Sequence, residues 1–111
     1  MKELFAYKFR SPLTIEKIHA KLVALGTWSW HERDSDRWGF YTSASPVPDA
    51  DRAQVKILVD PDTQDWFALN VLFQSARPAA TSQFAELRSH LFTRILPAIS
   101  ASQLTEAGDH E

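Results

Sequence analysis

The chain has 111 residues, 44% of them hydrophobic and 23% charged, with no cysteine and a formal net charge of -2. That length suffices for one ordinary core and not for two, and the lack of cysteine excludes disulfide frameworks, thiolate zinc sites and thiol nucleophiles, which fits a reducing compartment. The charged start (Lys2, Glu3, Lys8, Arg10) is unlike a secretory leader and no apolar run reaches the length of about 18 residues needed to cross a bilayer, so the expectation is a cytoplasmic single-domain protein without membrane association.

Residues 3–9 alternate Phe5, Tyr7 and Phe9 with Ala6 and Lys8, the two-residue period of a strand with one face in a core. A helix is predicted next. Thr14 suits its N-cap, Leu13 and Ile18 form a hydrophobic staple around that cap, and Glu16 lies in the first turn, where the helix dipole favours an acid. Ile15, Ile18, Leu22 and Leu25 recur at helical spacing until Gly26 ends the element as a C-terminal cap.

Residues 28–41 then hold three of the four tryptophans around the turn-forming run Asp34-Ser35-Asp36, which reads as an aromatic hairpin with arms over 27–32 and 38–43. Pro46 and Pro48 make 45–51 a loop, since neither can donate to a central ladder. A second hairpin is predicted from 53–59, with Val55, Ile57 and Val59 on one face, through a turn over 60–65, to 66–74, with Phe67, Leu69, Val71 and Phe73 on one face. After Arg77-Pro78, Thr81 or Ser82 is the expected cap of a last helix. Its apolar stripe is Phe84, Leu87, Leu91 and Ile95, widened by Arg88 and Phe92, and Pro97 should end or kink it.

The predicted order is β-α-β-β-β-β-α. Two amphipathic helices cover one face of a sheet, so the fold class is α+β: a two-layer sandwich of a mostly antiparallel five-stranded sheet, occupying residues 1–100, with a polar, frayed tail over 101–111. If Phe5, Val55, Ile57, Phe67, Leu69 and Val71 look at the helices, the other face receives Leu4, Ala6, Leu58, Trp66, Ala68, Asn70 and Leu72. A face that apolar is expected to be covered by a partner, a second copy or curvature of the sheet. A one-residue slip in register would exchange the two faces of the first hairpin.

Charge is uneven along the chain. Between residues 28 and 65 acids outnumber bases eight to four, whereas residues 1–27 hold five bases and two acids. Ser29, His31 and Arg33 share one face of the hairpin arm and Tyr41 and Ser43 share one on the return, a set capable of acid–base work, but no spacing singles out a catalytic group and cross-strand pairing explains the same pattern. Asp34-Ser35-Asp36 begins like a calcium loop and then places Trp38 at a ligand position, and the acids of 60–65 lack the required glycine, so neither metal nor cofactor is expected. His19 and His90 have no second ligand at i+4 and read as core-edge packing. Trp28, Trp30 and Phe40 would make a base-stacking platform only in a basic groove, and they lie in the most acidic segment, so nucleic acid is not the expected partner.

The leading expectation is a non-catalytic module that binds a protein. Asp34, Asp36 and Arg37 would steer at the rim and Trp38 and Tyr41 would anchor, masking a basic partner in the manner of an immunity or antitoxin protein. Two alternatives use the helix-free face. In one, Leu58, Trp66, Asn70 and Leu72 line a small-molecule or enzymatic pocket with His31 or Arg33 at its mouth. In the other, the same face closes a structural homodimer.

Overall fold

The computed structural model describes residues 1–36, 39–48, 50–60, 62–63 and 65–106. Six strands form one antiparallel sheet: β1 (Lys2–Arg10), β2 (Trp30–Ser35), β3 (Gly39–Ala44), β4 (Arg52–Val59), β5 (Trp66–Gln74) and β6 (Ser102–Glu106), in the spatial order β2-β3-β4-β5-β1-β6. β1 and β5 pair along their whole length, from Lys2 opposite Gln74 to Arg10 opposite Trp66, and this pair carries Phe9, Phe67, Leu69, Val71 and Phe73 into the core.

Both helical elements lie on one side, as amphipathic patterning requires. α1 (Ile15–Leu25) begins where the Thr14 hydroxyl accepts the Lys17 amide (3.2 Å) and stops at Gly26, whose φ of 75° is left-handed and free of a Cβ penalty. It buries Ile15, Ile18 and Leu22. α2 (Ala80–His90) covers the β5–β1 half: the Phe84 ring centroid lies 6.2 Å from that of Phe5 and 5.4 Å from that of Phe73. Arg88 crosses the rings of Phe5 and Phe92 at 5.1 and 5.0 Å.

Besides the arms of the first hairpin, which lie at Trp30–Ser35 and Gly39–Ala44 rather than 27–32 and 38–43, two features depart from the sequence reading. The sheet has six strands rather than five, because β6 lies in the polar tail and adds to the free edge of β1. All five of its residues are exposed, so no apolar alternation marked it. The last helix starts at Ala80 with no side-chain cap; Ser82 Oγ donates back to the Ala79 carbonyl (3.1 Å) instead of accepting an amide. Pro97 lies one residue before the helical run ends at Ala98, as expected. It has no N–H for the Thr93 carbonyl, and the chain widens into a π-helical turn over Leu91–Ile95, closed by the Leu96 amide on the Leu91 carbonyl, before α3 (Leu96–Ala98). Among the described residues no helix is long and apolar enough to cross a membrane.

Candidate binding surface on the helix-free face of the sheet

Strand alternation and the observed register decide which side chains share the uncovered face. Trp30 and Ala44 are opposite each other and both buried toward the helices, so their neighbours His31 and Ser43 point to the free side. From there one row crosses the sheet as His31, Ser43, Lys56, Asn70 and Ala6. The next row is Arg33, Tyr41, Leu58, Ala68, Lys8 and Thr105. Gln54, Leu72 and Leu4 flank them on one side, Trp66 and Arg10 on the other, and Arg52, Gln74 and Lys2 end the face. His31, Arg33, Leu58, Trp66, Asn70 and Leu72 therefore stand on one surface, joined by Tyr41.

That surface is basic. Lys2, Lys8, Arg10, Arg33, Arg52 and Lys56 all project from it, and no acidic residue of the described strands does. Asp60, just past the end of β4, pairs with one of them: it is buried, bonds Lys8 Nζ at 3.4 Å and accepts the Asp62 amide at 3.0 Å. The other five cations make no ion pair among the described residues. The floor among them is apolar and covered: Leu58 and Ala6 are only 5% exposed although no helix lies over them. Lys56 Nζ sits over the Tyr41 ring, 5.7 Å from its centroid, a cation on an aromatic face.

The predicted rim-and-anchor set is divided by the same alternation. Asp34 is opposite Phe40, whose ring packs edge-on against His19 of α1, so Asp34 lies on the helix side while Tyr41 lies on the free side. Asp36 is exposed in the turn, and Arg37 and Trp38 lie outside the described residues. Trp28, Trp30 and Phe40, weighed as a stacking platform, pack with the helical layer: Trp30 is 6% exposed and Trp28 lies beside it at 6.0 Å between ring centroids.

Two side-chain chains resemble nucleophilic arrangements and differ in what they lack. Ser29 Oγ lies 3.3 Å from His31 Nε2 at an exposed position, with no carboxylate among the described residues to orient the ring. His19 Nδ1 is 2.7 Å from Thr42 Oγ1 and its Nε2 3.5 Å from Glu32, an order of hydroxyl, imidazole and carboxylate. Thr42 is fully buried, however, and its hydroxyl leans on the His31 carbonyl at 3.5 Å, so no substrate reaches it and the chain ties α1 to β2 and β3. Spacing in sequence carried no sign of this contact, because Glu32 and Thr42 meet only as cross-strand partners. The basic face, by contrast, was written in the alternation itself: Lys8, Arg10 and Lys56 occupy the same parity as Leu58, Trp66 and Asn70 along neighbouring strands.

Among the described residues no three His, Asp or Glu side chains gather as a metal site requires. No model of a known protein family matches the chain, and no curated protein matches it.

Proposed function

We propose that this chain is a non-catalytic protein-binding module that docks through the helix-free face of its sheet onto a partner surface that is acidic at its centre and basic at its edges. The observation that carries this reading is segregation of charge: six cations stand on one sheet face of a chain whose net charge is -2. The compensating acids stand at the hairpin ends and loops, where Asp34, Asp36, Asp51, Asp62 and Asp65 are all exposed. Such a mosaic steers and orients a complementary protein surface.

A continuous polyanion fits less well, because a nucleic-acid backbone running off the face in line with the strands would meet the aspartates at the hairpin ends. A twofold dimer through this face would set the same cations against themselves, which costs affinity. The narrower reading of an immunity-type mask for a basic partner asks Asp34 and Tyr41 to act together from opposite faces of one hairpin; the broader reading does not.

The test is affinity capture from native lysate by wild type, by Arg33→Glu/Lys56→Glu and by Asp34→Lys/Asp36→Lys, each confirmed folded by far-UV circular dichroism. A protein retained by wild type and lost by Arg33→Glu/Lys56→Glu, with retention falling as salt rises, is the expected result. Retention unaffected by that double reversal would overturn the assignment. Loss in the aspartate variant alone would restore the masking of a basic partner by the acidic turn.

A further inference from the structure

On the opposite layer, between α2 and the segments flanking the first hairpin, lies a cleft of about 260 Å³ lined by Trp28, Pro46, Val47, Gln83, Glu86, Leu87 and His90. The four α2 residues recur at spacings of three, one and three, which places them on one helical face. Leu87, 3% exposed, forms an apolar floor with Val47 and Pro46. Trp28 walls the cleft with its ring centroid 4.8 Å from that of His90, and His90 Nε2 is fixed 2.8 Å from Thr27 Oγ1. Gln83 and Glu86 of α2 are also among its lining residues, and Gln83 Oε1 is buried with no partner. An acceptor so placed is costly to leave empty. The π-helical turn begins at Leu91, directly after His90, an irregularity that recurs at functional sites.

We propose that this cleft binds a small organic cation, a primary ammonium or guanidinium group on a short apolar body. Glu86 supplies the opposite charge, Gln83 Oε1 accepts an N–H, the Trp28 face attracts the cation, and Leu87, Val47 and Pro46 take the apolar part. The volume lies just below the range of about 300–1,000 Å³ usual for small-molecule sites, which restricts the ligand to a few carbons. An anion would face the Glu86 carboxylate with no cation in the lining, and a neutral hydrocarbon would leave Gln83 Oε1 unpaired.

The probe is n-butylammonium chloride titrated into the full chain at constant ionic strength, followed by NMR of the indole N–H resonances, with Trp28 assigned by Trp28→Phe. A saturable shift of the Trp28 resonance is expected, weakened about tenfold or more by Glu86→Gln, an exposed position whose change leaves the rest of the spectrum in place. Asp34→Asn should leave it unchanged. The same shift from 1-butanol, a titration indifferent to Glu86→Gln, or no saturable shift at all would each overturn the proposal. Because the cleft and the basic face lie on opposite layers, Arg33→Glu/Lys56→Glu should leave this titration unaltered, so the two readings fail separately.

Discussion

Trp30 and Trp66 show one residue type set to two uses by parity alone. Trp30 is 6% exposed, stands opposite Ala44 and belongs to the core under the helices, whereas Trp66 is half-buried on the free face beside Arg10. Truncating Trp30 to alanine should cost about 3–5 kcal/mol, the usual price of a large core cavity, and Trp66→Ala distinctly less. Urea midpoints of the two variants against wild type decide it. His90 makes a second prediction at this scale. Burial, and secondarily the neighbouring Arg94 guanidinium, hold its pKa below the ordinary 6.5. Below pH 6.5 the unfolded chain therefore takes up more protons at this site than the folded one, so its contribution to stability is intact above that pH and falls as the solution becomes more acidic. His90→Gln should flatten the slope of unfolding free energy between about pH 7 and pH 5, read by chemical denaturation of both proteins. The buried Thr42 hydroxyl is a third case: Thr42→Val removes the partner of His19 Nδ1 and should lower stability by about 1–3 kcal/mol.

At the scale of elements, legibility follows how local the determinant is. α1 was readable because its cap, its stripe and its terminating glycine all lie within the segment, and each is present where the spacing placed it. The arms of the first hairpin are shifted along the chain, to Trp30–Ser35 and Gly39–Ala44, since pairing register is settled by the partner strand. β6 left no trace in hydropathy. It exists because the β1 edge offers unpaired backbone groups, and Ser102 Oγ reaching the Arg10 carbonyl at 3.4 Å is among the side-chain contacts that hold it there. A chain truncated after Ala101 should remain folded, because β6 buries no side chain, but should self-associate as concentration rises through the exposed β1 edge. Circular dichroism and sedimentation velocity of the truncated and full chains measure the two halves of that statement.

For the whole molecule, the division of charge between one sheet face and the hairpin ends predicts that function and stability separate. Reversing Arg33 and Lys56, which make no ion pair among the described residues, should change unfolding free energy by no more than about 1 kcal/mol per site, the larger part at Lys56 through its contact with the Tyr41 ring, while abolishing partner capture. Reversal of Lys8 should behave differently, since it would leave the buried Asp60 facing a like charge, and a marked loss of stability is expected there. Denaturation of the three variants in parallel with capture separates these outcomes.

What the sequence by itself determined was whatever repeats at a fixed local period: alternating strands, a stripe at helical spacing, caps, and hence an α+β sandwich with helices on one side. From the same alternation it placed Leu58, Trp66, Asn70 and Leu72 together on the free face. Only the tertiary structure decided what lies beside what across strands and layers. It set Arg33 and Lys56 on either side of Tyr41, put Asp34 and Tyr41 on opposite faces, and brought His19 to Thr42 and Trp28 to His90. The last two contacts join residues 23 and 62 positions apart, and all of these relations depend on register and packing, which no local spacing encodes.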